Sequence, residues 1–229
     1  MRSLVIALLA VTLLGTGAFV QERPPLQTDR DKLSYALGMD LGKQLRTKQV
    51  DLDAGVFARG LADALTGSAL LLTDEESSGL VAALQEGLQR RELARVVEEA
   101  DRNRRAGEAF LAENRKRAGV VTLESGLQYR VLTAGTGRRL HEDETALCHY
   151  RATFIDGTEF DNSYSRGEAA AIPVKSAVKG WSEALRLMPV GSRWQLFIPP
   201  ELAYGSRGVG GRIAPNATLI FEVELLAIK

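Results

Sequence analysis

The stretch ETALCHYRATF, residues 144–154, alternates in a way that only a strand tolerates. Ala146, Cys148, Tyr150, Ala152 and Phe154 fall on one side of an extended chain, and His149, Arg151 and Thr153 on the other. A helix would scatter these apolar positions round its circumference. The same two-residue period returns in SRWQLFIPP (192–200), with Trp194, Leu196 and Ile198 inward. It returns again in TLIFEVELL (218–226), with Leu219, Phe221, Val223 and Leu225 inward and Glu222 and Glu224 outward. These are half-buried antiparallel strands. Between them GWSEALRLM (180–188) fits one short helix, with Trp181, Ala184, Leu185 and Met188 on one face. Residues 119–229 therefore read as a twisted sheet wrapped over one helix, an α+β domain.

Upstream of Gly119 the period is helical. Leu33, Leu37, Leu41 and Leu45 recur every fourth residue, with Gly38 and Gly42 close to that stripe. Glycine weakens a helix by about 1 kcal/mol, so the pair implies that another backbone packs very near. VDLD (50–53) offers Asp51 or Asp53 as the N-cap of a second helix carrying Val56, Phe57, Leu61 and Leu65, which Gly67 ends. Neither helix can bury its apolar stripe alone.

LTDEESSGL (72–80) supplies a capping box, Thr73 with Glu76, for a third helix with no proline before Gly119. Its first turns are amphipathic through Leu80, Leu84 and Leu88, but QRRELARVVEEADRNRRAGEAF (89–110) is charged nearly all round. The apolar seam is too short for a coiled coil, and such a helix bridges space between packed regions. The expected organisation is a helical region over 21–72, a long connecting helix over 73–118 and the α+β domain over 119–229.

The first residues, MRSLVIALLAVTLLGTGAFVQERPP, have a single positive residue, Arg2, then an apolar run from Leu4 to Leu14 and small residues. That pattern is a secretory signal peptide over 1–20, with cleavage near Ala18 or Val20. An uncleaved signal-anchor is the alternative, because apolar character persists almost to Val20. Cys148 is the only cysteine, so no disulfide forms within the chain, and export without disulfides points to a bacterial periplasm.

Net charge is zero and no basic patch stands out, which argues against nucleic-acid binding. The two histidines, His141 and His149, have no carboxylates at ligand spacing, so no metal or other cofactor is expected. Cys148 and His149 are adjacent in a strand and must diverge, which removes a thiol nucleophile. What remains is a set of aromatic and apolar residues at strand ends, the helix start and loops: Tyr150, Phe160, Trp181, Tyr204, Ile213 and Phe221. With Asp161 and Arg166 in a turn, they outline a shallow aromatic pocket.

At this point the sequence resembles a known family. CHYRATFIDGTEFDNSYSRG (148–167), VKGWSEAL (178–185), PPELAYG (199–205) and PNATLIFEVELL (215–226) resemble the FKBP-type peptidyl-prolyl cis–trans isomerases. YALGMDLGKQL (35–45), LLLTDEE (70–76) and FLAENRKRAGV (110–120) resemble the macrophage infectivity potentiator subgroup. The resemblance implies exported homodimers whose N-terminal helices intertwine, proline-containing polypeptides as substrates and FKBP-directed macrolides as inhibitors. It puts catalytic positions on Tyr150, Phe160, Asp161, Trp181, Tyr204 and Phe221, and substrate-binding positions on Arg166, Val178 and Ile213. Trp181 would be the floor under the proline ring, and Tyr204 a donor to a substrate carbonyl. Ala170 and Ala177 depart from the family pattern, where larger apolar residues are usual, and would widen the pocket rim. A periplasmic holdase chaperone with a weak isomerase pocket is the rival function that these two positions keep open. Asp161 is expected to organise the site by accepting hydrogen bonds from Tyr150 and Arg166, since a buried charge needs partners.

Overall fold

A computed structural model describes residues 25–229. The reading of residues 1–20 as a signal peptide falls outside them. Among the described residues no helix is long and apolar enough to cross a membrane. The chain divides into two compact units, one ending at Thr73 and one running from Asp74 to Lys229.

The first unit holds α1 (Asp29–Thr47) and α2 (Ala54–Thr66). Thr28 caps α1 in a capping box with Asp31, and Asp53, not Asp51, caps α2 by accepting the amide of Val56. Gly67 ends α2 in the left-handed region at φ 69°. Neither helix has a buried residue. Leu33 is 61% exposed and Leu37 64%.

The second unit opens with α3 (Asp74–Asn114), 41 residues, roughly 60 Å at 1.5 Å per residue. Its middle is held helical by ion pairs one turn apart, among them Arg90–Glu86, Arg102–Glu98 and Arg104–Glu108. Exposed pairs of this kind contribute about 0.3–0.5 kcal/mol each.

Next comes the sheet: β1 (Val120–Thr122), β2 (Gln128–Thr133), β3 (Thr145–Phe154), β4 (Glu159–Asn162), β5 (Ala170–Pro173), β6 (Arg193–Ile198) and β7 (Leu219–Ile228). The order is β1-β2-β6-β7-β3-β4, with β5 also pairing β3, and every pairing is antiparallel. Between β4 and β5 lies the one-turn helix α4 (Ser163–Arg166), and between β5 and β6 lies α5 (Lys179–Leu187). The expected inward faces are met. Ala146, Cys148 and Ala152 of β3, Trp194, Leu196 and Ile198 of β6, and Leu219, Phe221, Val223 and Leu225 of β7 are all buried. They pack with Trp181, Ala184, Leu185 and Met188 in one core.

One burial breaks the alternation. Phe197 points away from that core yet is 3% exposed, because the C-terminal half of α3 covers the outer face of β2 and β6. Phe110 lies 5.9 Å from Phe197, centroid to centroid. Asn114 donates to Gln128 Oε1 at 2.9 Å, and Gln128 returns a bond to the carbonyl of Leu111 at 3.0 Å. At Gly107 the approach is so close that a Cβ would meet Thr218 Oγ1 at 2.2 Å. The helix expected to bridge open space along its charged length is thus docked over its last turns.

Candidate functional site

The inward row of β3 carries Tyr150, that of β7 carries Phe221, and the first turn of α5 presents Trp181. The register sets Tyr150 opposite Val223 and Ala152 opposite Phe221, so Tyr150 and Phe221 are diagonal neighbours on one face. Trp181 is 5% exposed and meets both rings edge-on, Tyr150 at 5.4 Å and 86°, and Phe221 at 5.3 Å and 88°. Phe160 from β4 meets Phe221 at 5.9 Å and 87°. These perpendicular contacts suit the ring quadrupoles, and they leave the indole as a flat base with aromatic edges around it. α5 can sit this close because Gly180 faces Ile198, whose Cγ2 would lie 2.5 Å from a Cβ there.

Asp161 sits beside this cluster and takes three bonds. Tyr150 Oη donates to its Oδ2 at 2.6 Å, the amide of Asn162 donates to Oδ1 at 2.8 Å, and Arg166 Nη1 donates to Oδ1. Arg166 Nη2 donates to Tyr150 Oη at 3.0 Å, and the guanidinium lies 5.5 Å from the centre of the Tyr150 ring. The triangle is closed. Partial burial works to raise the Asp161 pKa, but the bonds from Tyr150 and Arg166 outweigh it and hold the carboxyl below its ordinary value. Burial and the adjacent carboxylate push the Tyr150 phenol up, so it stays protonated and keeps donating.

Ile213 is buried at 8% and packs in the same core as Trp181 and Phe221, with Val178, at the N-cap of α5, against that core. Tyr204 stands at the N-cap of the 3-10 turn Gly205–Arg207, 38% exposed. Among the described residues its hydroxyl makes no hydrogen bond and its ring stacks on no other. Ala170 pairs with Cys148 in β5, and Ala177 packs against the core.

Two residues that the sequence reading did not assign to the site support it. Phe154 lies 4.7 Å from Phe160 and fixes its ring from behind. Ser163 is fully buried; its hydroxyl accepts the Tyr150 amide at 2.8 Å and lies 3.0 Å from His149 Nδ1. Phe154 stood in the alternating row and was readable there as core; a buried serine in a polar run carries no such signal. His149 stacks on Tyr164 at 4.5 Å, while burial pushes the Cys148 thiol up to about 12. Their side chains diverge, as strand neighbours must.

An aromatic floor on the short helix of a wrapped antiparallel sheet, next to a tyrosine clamped by an aspartate–arginine pair, defines an apolar site. Residues 136–226 match the FKBP-type peptidyl-prolyl cis–trans isomerase domain, and residues 30–131 match the domain amino terminal to it. The chain belongs to the FKBP-type peptidyl-prolyl isomerase family. It is 41% identical over 216 residues to the outer membrane protein MIP of Legionella longbeachae, covering 94% of this chain and 93% of that one. It is 38% identical over 229 residues to the peptidyl-prolyl cis–trans isomerase Mip of Coxiella burnetii, covering 100% and 99%. Its structure resembles the crystal structure of FkpA from Escherichia coli with a TM-score of 0.72 and 35% identity, covering 90% of this chain and 99% of that one.

Proposed function

We propose that the chain accelerates rotation about X–Pro peptide bonds in polypeptides, with the Trp181 cluster as its site. Rotation is slow because twisting destroys amide resonance, a barrier of about 18–20 kcal/mol. For X–Pro it takes tens to hundreds of seconds uncatalysed. The twisted amide has less charge separation than the planar one, so an apolar surface favours it over water. Binding the twisted form more tightly is sufficient. The observation that carries this reading is the buried indole ringed by perpendicular aromatics.

In this scheme Trp181 supports the proline ring, with Phe160, Phe221, Val178 and Ile213 enclosing it. The free hydroxyl of Tyr204 donates to a substrate carbonyl. Asp161 and Arg166 fix Tyr150 and transfer no proton. The small side chains of Ala170 and Ala177 leave the rim wide, which suits bulky residues around the proline. A holdase with an inactive pocket is the weaker reading, because relatives spanning the whole chain are named as isomerases and the ring cluster here is complete.

We further propose the organisation read from the sequence: a leader over 1–20, a dimerisation region over 21–72, the connecting helix over 73–118 and the isomerase domain over 119–229. Support for a homodimer comes from α1 and α2, whose apolar stripes nothing among the described residues covers. Gly38 and Gly42 have nothing within 4 Å of where a Cβ would sit, so the close backbone they imply belongs to a second copy. An envelope location, periplasmic or attached to the outer membrane, fits the leader pattern and the name of the Legionella relative. The deciding experiment is turnover of a short X–Pro peptide with and without an FKBP-directed macrolide. Turnover abolished by the macrolide supports the assignment, and no turnover by folded protein refutes it.

A further inference from the structure

A second depression, of about 640 Å³, lies between α3 and the loop that follows Tyr204. That is inside the roughly 300–1,000 Å³ range of ligand pockets. Its helix wall is Glu92, Arg95, Val96, Glu99 and Asn103, one face of α3 at successive turns. Its loop wall carries Arg207 and Arg212, and its floor includes Phe154, Ile213 and Pro215. Two of these floor residues belong to the aromatic site or touch it. Ile213 packs in the core with Trp181, and Phe154 packs against Phe160 at a tilt of 38°. The depression therefore adjoins the aromatic site, with Ile213 shared between them.

The loop wall is built. Asn103 Nδ2 donates to the carbonyl of Pro215 at 2.9 Å, and Asn216 Nδ2 donates to the carbonyl of Ala100 at 3.3 Å. Asn216, in the left-handed region at φ 56°, gives its own amide to the carbonyl of Gly205 at 2.9 Å, closing the base of the loop. Above it Val209 and Ile213 bridge, and Gly208 approaches so closely that a Cβ would lie 2.2 Å from the carbonyl oxygen of Ile213. The α3 face and the Ile213 loop thus hold each other in register.

The charges in the groove are unevenly satisfied. Glu92 and Glu99 are both taken up by Arg95, at 2.8 and 3.1 Å. Asp156 accepts the amide of Thr158 at 2.9 Å. Arg207 and Arg212 have no ion pair or side-chain hydrogen bond among the described residues. Two unpaired guanidinium groups on one wall, beside an apolar floor that adjoins the aromatic site, suit a carboxylate on an extended chain.

We propose that this groove receives the segment of substrate flanking the isomerised X–Pro bond, and that Arg207 and Arg212 select for an acidic side chain in that segment. The inference rests on the isomerase reading of the aromatic site. It makes α3 a wall of the substrate site, and Arg207 and Arg212 determinants of specificity outside the catalytic cluster.

The test compares three substrates on the intact protein: an X–Pro tetrapeptide, and two ten-residue peptides with either glutamate or glutamine flanking the same proline. For Arg207→Glu/Arg212→Glu, tetrapeptide kcat/KM should stay within about twofold. The glutamate peptide should lose about tenfold through KM, and the glutamine peptide much less. Val96→Trp, which fills the groove from α3, should impair both long peptides and spare the short one. Equal losses on all three substrates, or no loss on the glutamate peptide, overturn the proposal. Fluorescence anisotropy with labelled long peptides gives an answer independent of turnover. If even the intact protein fails to turn over the tetrapeptide, the isomerase reading fails. Tighter binding of the glutamate peptide that is lost in the double variant then still upholds the groove, and equal binding by both proteins refutes it.

Discussion

At the scale of single residues, Trp181 separates two effects that a coarse substitution would merge. The indole is both the proposed floor and a core side chain, so Trp181→Ala removes catalysis and packing together. Trp181→Leu keeps an apolar body and should cost roughly 2 kcal/mol of stability, less than the 3–5 typical of truncation to alanine. Its kcat/KM on a tetrapeptide should fall by more than tenfold while circular dichroism shows a folded protein. Full turnover by the folded leucine variant would mean that the proline ring rests elsewhere. Asp161 makes the opposite case. Its folded pKa lies below the unfolded carboxylate value of about 3.9. The stability it contributes is therefore fully present above that value and is lost as the pH falls through the lower, folded one. Turnover should be flat from about pH 5 to pH 9, with no bell near neutrality. Asp161→Asn keeps an acceptor for Tyr150 but gives up the charge-assisted bond to Arg166, so kcat/KM should drop by about three- to tenfold, not vanish. Complete loss in a folded variant would instead show the carboxylate acting on the substrate directly.

Among the elements, α3 is where sequence and structure part company, and the reason is physical. Strands β3, β6 and β7 were legible because burial on one face imposes a period of two, and Trp181 and Phe221 came with them. Docking of α3 leaves almost no such trace. The contact is made through Gly107, Asn103, Asn114 and Phe110, a small residue and two amides around a single ring. On a helical wheel these read as one more polar face. Ser163 was invisible for a similar reason, since its partners are the backbone of Tyr150 and an imidazole brought near only by the fold. The docking can be tested at its tightest point. Gly107→Ala would press a methyl group against Thr218 and should cost about 1–3 kcal/mol. Chemical denaturation of the single variant and of Gly107→Ala/Thr218→Ala should show most of that loss recovered in the pair. A single variant as stable as the parent would mean that α3 does not rest against Thr218 in solution.

For the whole molecule the proposal divides labour between the units. Among the described residues the helices of the first bury nothing, and leaving a leucine side chain in water instead of burying it forgoes about 1.5–3 kcal/mol each. Leu33, Leu37, Phe57 and Leu61 therefore supply a strong drive to pair with another copy. Deleting residues 21–72 should yield a monomer by analytical ultracentrifugation, with tetrapeptide turnover nearly unchanged. Refolding of a long, proline-limited client should slow, because two linked sites raise the effective concentration of the second. A truncated protein that still dimerises, or refolds such clients as well as the parent, would take the helical unit out of the mechanism.

The lone thiol has a use that follows from its position alone. Cys148 lies in an interior strand of the sheet, paired with β7 on one side and β5 on the other, with no exposed surface. With its proton held to about pH 12, it offers no thiolate to a water-borne reagent while the sheet is intact. An Ellman-type probe would therefore stay colourless against native protein and turn yellow only as molecules open. The chain carries its own gauge of how often the sheet comes apart, readable in the presence of any peptide that fastens it shut.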